Sequence, residues 1–233
     1  MSKRLCILGD DRLFACETVQ GAARWPDLSF EQGQVDMGAD LMTGYDGFVI
    51  AGLGIAPVVE IFGELSCLDM PSVDDAMTAL DAERPLASTA MLRAYTRERL
   101  EAVRAVALAR NLRAHTEAPI FLVSLPRPSA EACQNGERET ELAQLAARGD
   151  GPFVSAWFDR MAGELCADIG VHFLPQPRES LTADGMFTKE DYVSAHNATS
   201  KTDAGEKGVQ VNAEFACLVI DQVAHALKTC SPA

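Results

Sequence analysis

No apolar run in this chain approaches the ~18 residues that a membrane-spanning helix needs, so a helical membrane protein is not expected. A signal peptide is not expected either. Lys3 and Arg4 are followed by only four apolar residues before Gly9, and cytoplasmic residence is the expectation. Positive charge is scarce: 20 basic residues face 34 acidic ones, for a net charge of −14. Such a field repels phosphate backbones, which argues against nucleic acid as a partner. The seven cysteines (Cys6, Cys16, Cys67, Cys133, Cys166, Cys217 and Cys230) are odd in number and include no CxxC pair. Cys6, Cys16 and Cys217 sit in apolar periodic segments, where a reduced cysteine packs as a small hydrophobe. There are no internal repeats, no low-complexity tract and no clear linker. The sequon Asn197-Ala198-Thr199 has no consequence in a cytoplasmic chain.

What is present is the material of one domain spanning residues 1–233. Hydrophobic residues make up 48% of the chain, enough for a full core. Residues 4–10 read as a strand without polar alternation, the pattern of a strand buried on both faces of a parallel sheet. Tyr45–Gly54, Pro119–Leu125 and Val171–Leu174 read the same way, and Pro126-Arg127-Pro128 and Pro175 close the last two. Helical spacing predicts helices over Leu13–Ala23, 86–116, 137–148, 153–168 and 212–228. Leu28–Gln34 reads as an edge strand, and 176–209 as a polar loop with a turn at Asp184-Gly185. Strands alternating with helices predict a doubly wound α/β domain with a mostly parallel sheet. Ligands of such folds bind at the carboxyl ends of the strands. The residues at those ends, with the approach to the last helix, are Gly9, Asp10, Asp11, Gly52, Gly54, Arg127, Arg178, Gln210 and Asn212.

Two end segments carry a resemblance. Gly9-Asp10-Asp11 closes the first strand, and Gln210-Val211-Asn212-Ala213-Glu214-Phe215-Ala216 opens the last helix. Together with Asp46–Ile55 they resemble the conserved blocks of the SGNH/GDSL hydrolases. The order of elements is similar over most of the chain, and Gln176-Pro177-Arg178 with Thr182–Tyr192 is similar to the loop before the last block. The resemblance implies a three-layer α/β/α flavodoxin-like fold and an ester-hydrolase or acyl-transfer ancestry, with acylated carbohydrate as one substrate class. It also implies substituted chemistry. Asp11 stands at the serine nucleophile, Gly54 at the oxyanion asparagine, and Gln210 at the histidine. Lys207 stands at the orienting aspartate, with Glu206 beside it. Gly9, Asp10, Gly52 and Asn212 match the family positions. Glutamine cannot take a proton near neutral pH, and loss of one triad member costs on the order of 10⁴ in rate. The expected protein is therefore a hydrolase fold that has lost its chemistry and binds a small ligand, an acylated substrate or a partner, with no cofactor.

Other readings compete. Adjacent acids at a strand end supply oxygen ligands, so Asp10 and Asp11 are candidates for a divalent metal. The later Asp and Lys that a receiver domain would need are missing from the other strand ends. Gly52-Leu53-Gly54-Ile55-Ala56-Pro57 departs from a dinucleotide loop at its third glycine, where Pro57 stands, and reads as a tight turn. Of the four histidines, His115 and His225 lie late in helices and His172 lies in a strand. His196, in the loop before Gln210, is the candidate replacement base. Ser124 and Ser180 lie near strand tips, but neither is in a Gly-x-Ser-x-Gly elbow.

Overall fold

The computed structural model describes residues 5–9, 23–24, 30–31, 34–35, 45–73, 84–135, 137–194 and 210–230. The sheet is built from β1 (Leu5–Gly9), β2 (Ala23–Arg24), β5 (Gly47–Leu53), β6 (Ile120–Ser124) and β7 (His172–Leu174). Its order is β2-β1-β5-β6-β7, and every pair is parallel. The unbroken apolar runs form the central strands because both faces are covered. All five residues of β6 are buried, as are six of the seven in β5. Burying such a strand removes apolar area from water at about 25 cal/mol per Å².

Side chains alternate between two cores. Phe48 and Ile50 of β5 join a large cluster with α1 (Ala56–Glu64), α2 (Thr89–Glu101), α3 (Arg104–Arg113), α4 (Glu137–Ala147) and α5 (Gly151–Asp168). Val49 and Ala51 join a second cluster with Phe121, Val123 and Leu174, covered by α6 (Ala213–Cys230). Gly52 interrupts the alternation. The β5–β6 register shifts between Ala51 and Leu53, which carries Leu53 into the large core instead of the second.

Four expectations change. Ala23 does not close a helix; it pairs with Cys6 as the first residue of β2, and the rest of the expected helix lies outside the described residues. The expected single edge strand at 28–34 is instead an antiparallel pair, β3 (Phe30–Glu31) with β4 (Gln34–Val35), in a sheet of its own. The long helix at 86–116 is two helices. Ala102 ends α2 in helical geometry, and Val103 turns extended before α3 begins. Glu101 ties the pieces, accepting ion pairs from Arg97 at 3.2 Å and Arg110 at 3.5 Å. Finally, α1 was not expected. Pro57 lies in its first turn, where the missing N–H is no loss, and Val58, Val59, Ile61 and Phe62 bury its apolar stripe.

The end of α6 lies at the amino edge of the sheet. Leu227 Cδ1 stands 3.2 Å from where a Gly47 Cβ would be, at the start of β5. Cys230 touches His172 at the start of β7. The helix runs back along the strands, so its first turn, with Gln210–Asn212 before it, lies at the carboxyl edge. No helix among the described residues is long and apolar enough to cross a membrane.

Candidate functional site

The carboxyl edge collects most of the expected residues that the structure describes. Gly9 ends β1 opposite Ala51. Gly52 forms the irregular step in β5, and a Cβ there would lie 2.8 Å from Ala105 Cβ of α3. Close helix-to-strand approach is thus a packing reason for glycine at this position. Gly54 is under no such constraint: a Cβ would meet only Leu125, at 3.7 Å. Asp10, Asp11, His196, Glu206 and Lys207 lie outside the described residues.

Beyond β6 the chain builds a buried polar network. Arg127, 1% exposed, points its guanidinium at α5. Its Nη1 donates to Ser155 Oγ at 2.7 Å and its Nη2 reaches Asp159 Oδ1 at 3.4 Å. Ser155 and Asp159 are four residues apart on α5, so they share one helix face. The Phe158 ring lies 6.0 Å from the guanidinium carbon. The Arg127 backbone is held as well. Its N–H donates to Gln176 Oε1 at 2.9 Å, and its carbonyl accepts from Thr188 Oγ1 at 2.6 Å. Gln176 Nε2 donates to Ser180 Oγ at 3.1 Å and to Thr188 Oγ1 at 2.9 Å. Gln176 sits between Pro175 and Pro177, which keep its neighbours out of any strand ladder. Together these bonds pin the 176–188 segment to the tip of β6.

Burial sets the electrostatics of this network. Loss of hydration lowers the Arg127 guanidinium from its ordinary value, while Asp159 and Asp184 help it keep its proton. Loss of hydration likewise raises the Asp159 carboxyl above the usual range, against the pull of Arg127 and Arg178. Both shifts are those of an ion pair drawn partly out of water. Arg127 Nε has no hydrogen-bond partner among the described residues. Arg178 is exposed in a short 3₁₀ turn, Arg178–Ser180, so of the two arginines only Arg178 can meet solute.

The chain then runs to the entrance of α6. Val193 bridges Val211, and Ser194 N–H donates to the Gln210 carbonyl at 2.9 Å. Asn212 caps the helix: its Oδ1 accepts from Phe215 N–H at 3.1 Å, and its Nδ2 donates to the Asp191 carbonyl at 2.6 Å. Gln210 is half-buried next to this bridge. The structure thus brings Gly9, Gly52, Gly54, Arg127, Gln210 and Asn212 to one edge. Arg127 and Asn212 have demanding structural roles there.

Sequence reasoning missed Ser155, Asp159, Gln176 and Thr188. The i,i+4 placement of Ser155 and Asp159 and the Pro-Gln-Pro run were the only local signals. Ser124 is buried and its hydroxyl donates to the Leu125 carbonyl at 3.1 Å, so it faces no base. Among the described residues, no cluster of three or more His, Cys, Asp and Glu side chains is placed to hold a metal ion. No family model, curated protein or solved structure matches this chain.

Proposed function

We propose that the chain is a doubly wound, flavodoxin-like α/β/α domain of SGNH-hydrolase type that has lost its triad and binds a small ligand at the carboxyl edge. The strand order supports the winding, since the chain leaves β1 for β2 on one side and continues through β5, β6 and β7 on the other. In such a sheet the crevice opens where the direction reverses, between β1 and β5. One observation carries the functional reading. Gly9 at the end of β1 and Gln210–Asn212 at the mouth of α6 share that edge, as the two outer hydrolase blocks require.

With Asp11 and Gln210 at the positions of nucleophile and base, neither position supplies a group to make or relay an alkoxide. The site then serves recognition, using Gln210 and Arg178 as polar contacts. The test rebuilds the chemistry with Asp11→Ser, Gly54→Asn, Lys207→Asp and Gln210→His in one chain. Both proteins are assayed on short p-nitrophenyl esters. Hydrolysis by the rebuilt chain and not by the natural one is the expected result. Hydrolysis by the natural chain above a heat-treated control overturns the loss of chemistry and directs the search for a base to His196. If neither chain turns over, the hydrolase ancestry fails.

A further inference from the structure

At the opposite edge of the sheet, a thiol and an imidazole meet. Cys230 Sγ, in the last turn of α6, lies 3.4 Å from Nε2 of His172, the first residue of β7. Nothing in the carboxyl-edge site uses either group. His172 is held in place by its strand and by the Phe121 ring, whose centroid lies 5.5 Å from that of the imidazole at 30°. The pair is open to solvent, with His172 exposed and Cys230 half-exposed. The other described thiols are different. Cys6, Cys67, Cys133 and Cys166 are buried, and Cys217 is exposed with no imidazole contact among the described hydrogen bonds.

We propose that Cys230 is a reactive thiol, with His172 as its base, that exchanges with small-molecule disulfides of the glutathione type. A nucleophile and a base within hydrogen-bond reach, the base oriented by a third group, is the arrangement such a step needs. In the tautomer protonated at Nδ1, Nε2 accepts the thiol proton. The Cys230 sulfur attacks one sulfur of the disulfide. A new S–S bond forms, the old one breaks, and the departing thiolate takes its proton from the imidazolium. The Cys230 sulfur is oxidised, the departing sulfur is reduced, and no other oxidant enters.

The natural protein is incubated at neutral pH with oxidised glutathione, and modification of each cysteine is followed by mass spectrometry of peptides. Cys217 is the internal reference for an exposed thiol on the same helix. Cys230 is expected to form the mixed disulfide at least about tenfold faster than Cys217, a modest share of what a positioned base supplies. His172→Ala and His172→Gln are both expected to remove that advantage while leaving the Cys217 rate, and with it the fold of α6, unchanged. Equal rates at Cys230 and Cys217 in the natural protein overturn the proposal. So does a Cys230 rate that survives both His172 variants, which would leave the contact as a structural tie between β7 and α6.

Discussion

Gly52→Ala tests why the tip of β5 carries a glycine. The added Cβ would lie 2.8 Å from Ala105 Cβ, whereas carbon atoms rest at about 3.5–4.0 Å. Neither atom can swing away, because each is bonded directly to backbone. Strand and helix must therefore separate by about 0.7 Å or more, and overpacking of this kind costs about 1–3 kcal/mol. The backbone adds to this, since φ at Gly52 is +157°, a value that L side chains rarely adopt, and such strain costs about 1–3 kcal/mol. The expected loss of unfolding free energy is about 2–6 kcal/mol, measured by urea denaturation with the buried Trp157 as fluorescent reporter. Ala105→Gly alone should cost up to about 1 kcal/mol in helix propensity. The double variant separates the two terms. The clash disappears and the backbone strain stays, so the pair should be less destabilised than the sum of the singles by about 1–3 kcal/mol. Gly54→Ala is the control, expected within about 0.5 kcal/mol of the natural protein, since its Cβ finds ordinary contact. Additivity of Gly52→Ala and Ala105→Gly would refute the close-approach account and return Gly52 to a ligand-facing role.

Three further outcomes are expected. Asp150 is fully buried and accepts from Ser72 N–H at 2.9 Å and Ser72 Oγ–H at 2.7 Å, so Asp150→Asn should cost about 2–4 kcal/mol in a urea titration, and a change under 1 kcal/mol would contradict its role. Asn212→Ala removes the cap of α6 and should cost about 1 kcal/mol, whereas Asn212→Ser, which also caps, should recover most of it; equal stabilities of the two variants would count against capping. Burial pushes the Cys6 thiol up to about 11 and the Cys166 thiol to about 12, while in the unfolded chain both ionise near ~8.5. Stability from these raised groups is present below the unfolded value and is lost as pH rises. Between pH ~9.5 and ~10.5 the unfolded chain binds between one and two fewer protons, a fall of about 2–2.5 kcal/mol per pH unit from these groups. Unfolding free energies across that range should fall less steeply in Cys6→Ala/Cys166→Ala, and identical slopes would exclude the thiols as the cause.

The strands at Leu5–Gly9, Gly47–Leu53 and Ile120–Ser124 were legible because a parallel strand buried on both faces is written as an unbroken apolar run with a Gly or Pro stop. The last helix was legible for a similar local reason, since Asn212 and the apolar stripe beyond it mark start and face. The α/β class followed from their alternation, and the carboxyl edge followed from the class. Tertiary structure decided the rest. Val103 breaks the helical period with no Pro or Gly to announce it, and α3 instead lies against β5 and meets Gly52 through Ala105. Arg127 is an ordinary cation after a proline until folding brings Ser155, Asp159, Gln176 and Thr188 around it from 28 to 61 residues away. His172 and Cys230 are 58 positions apart and touch only because α6 runs back along the sheet. Periodicity and punctuation are properties of neighbours in the chain, which one sequence displays. The partners of a buried charge or a thiol are set by how layers pack, and that packing exists only in the folded molecule.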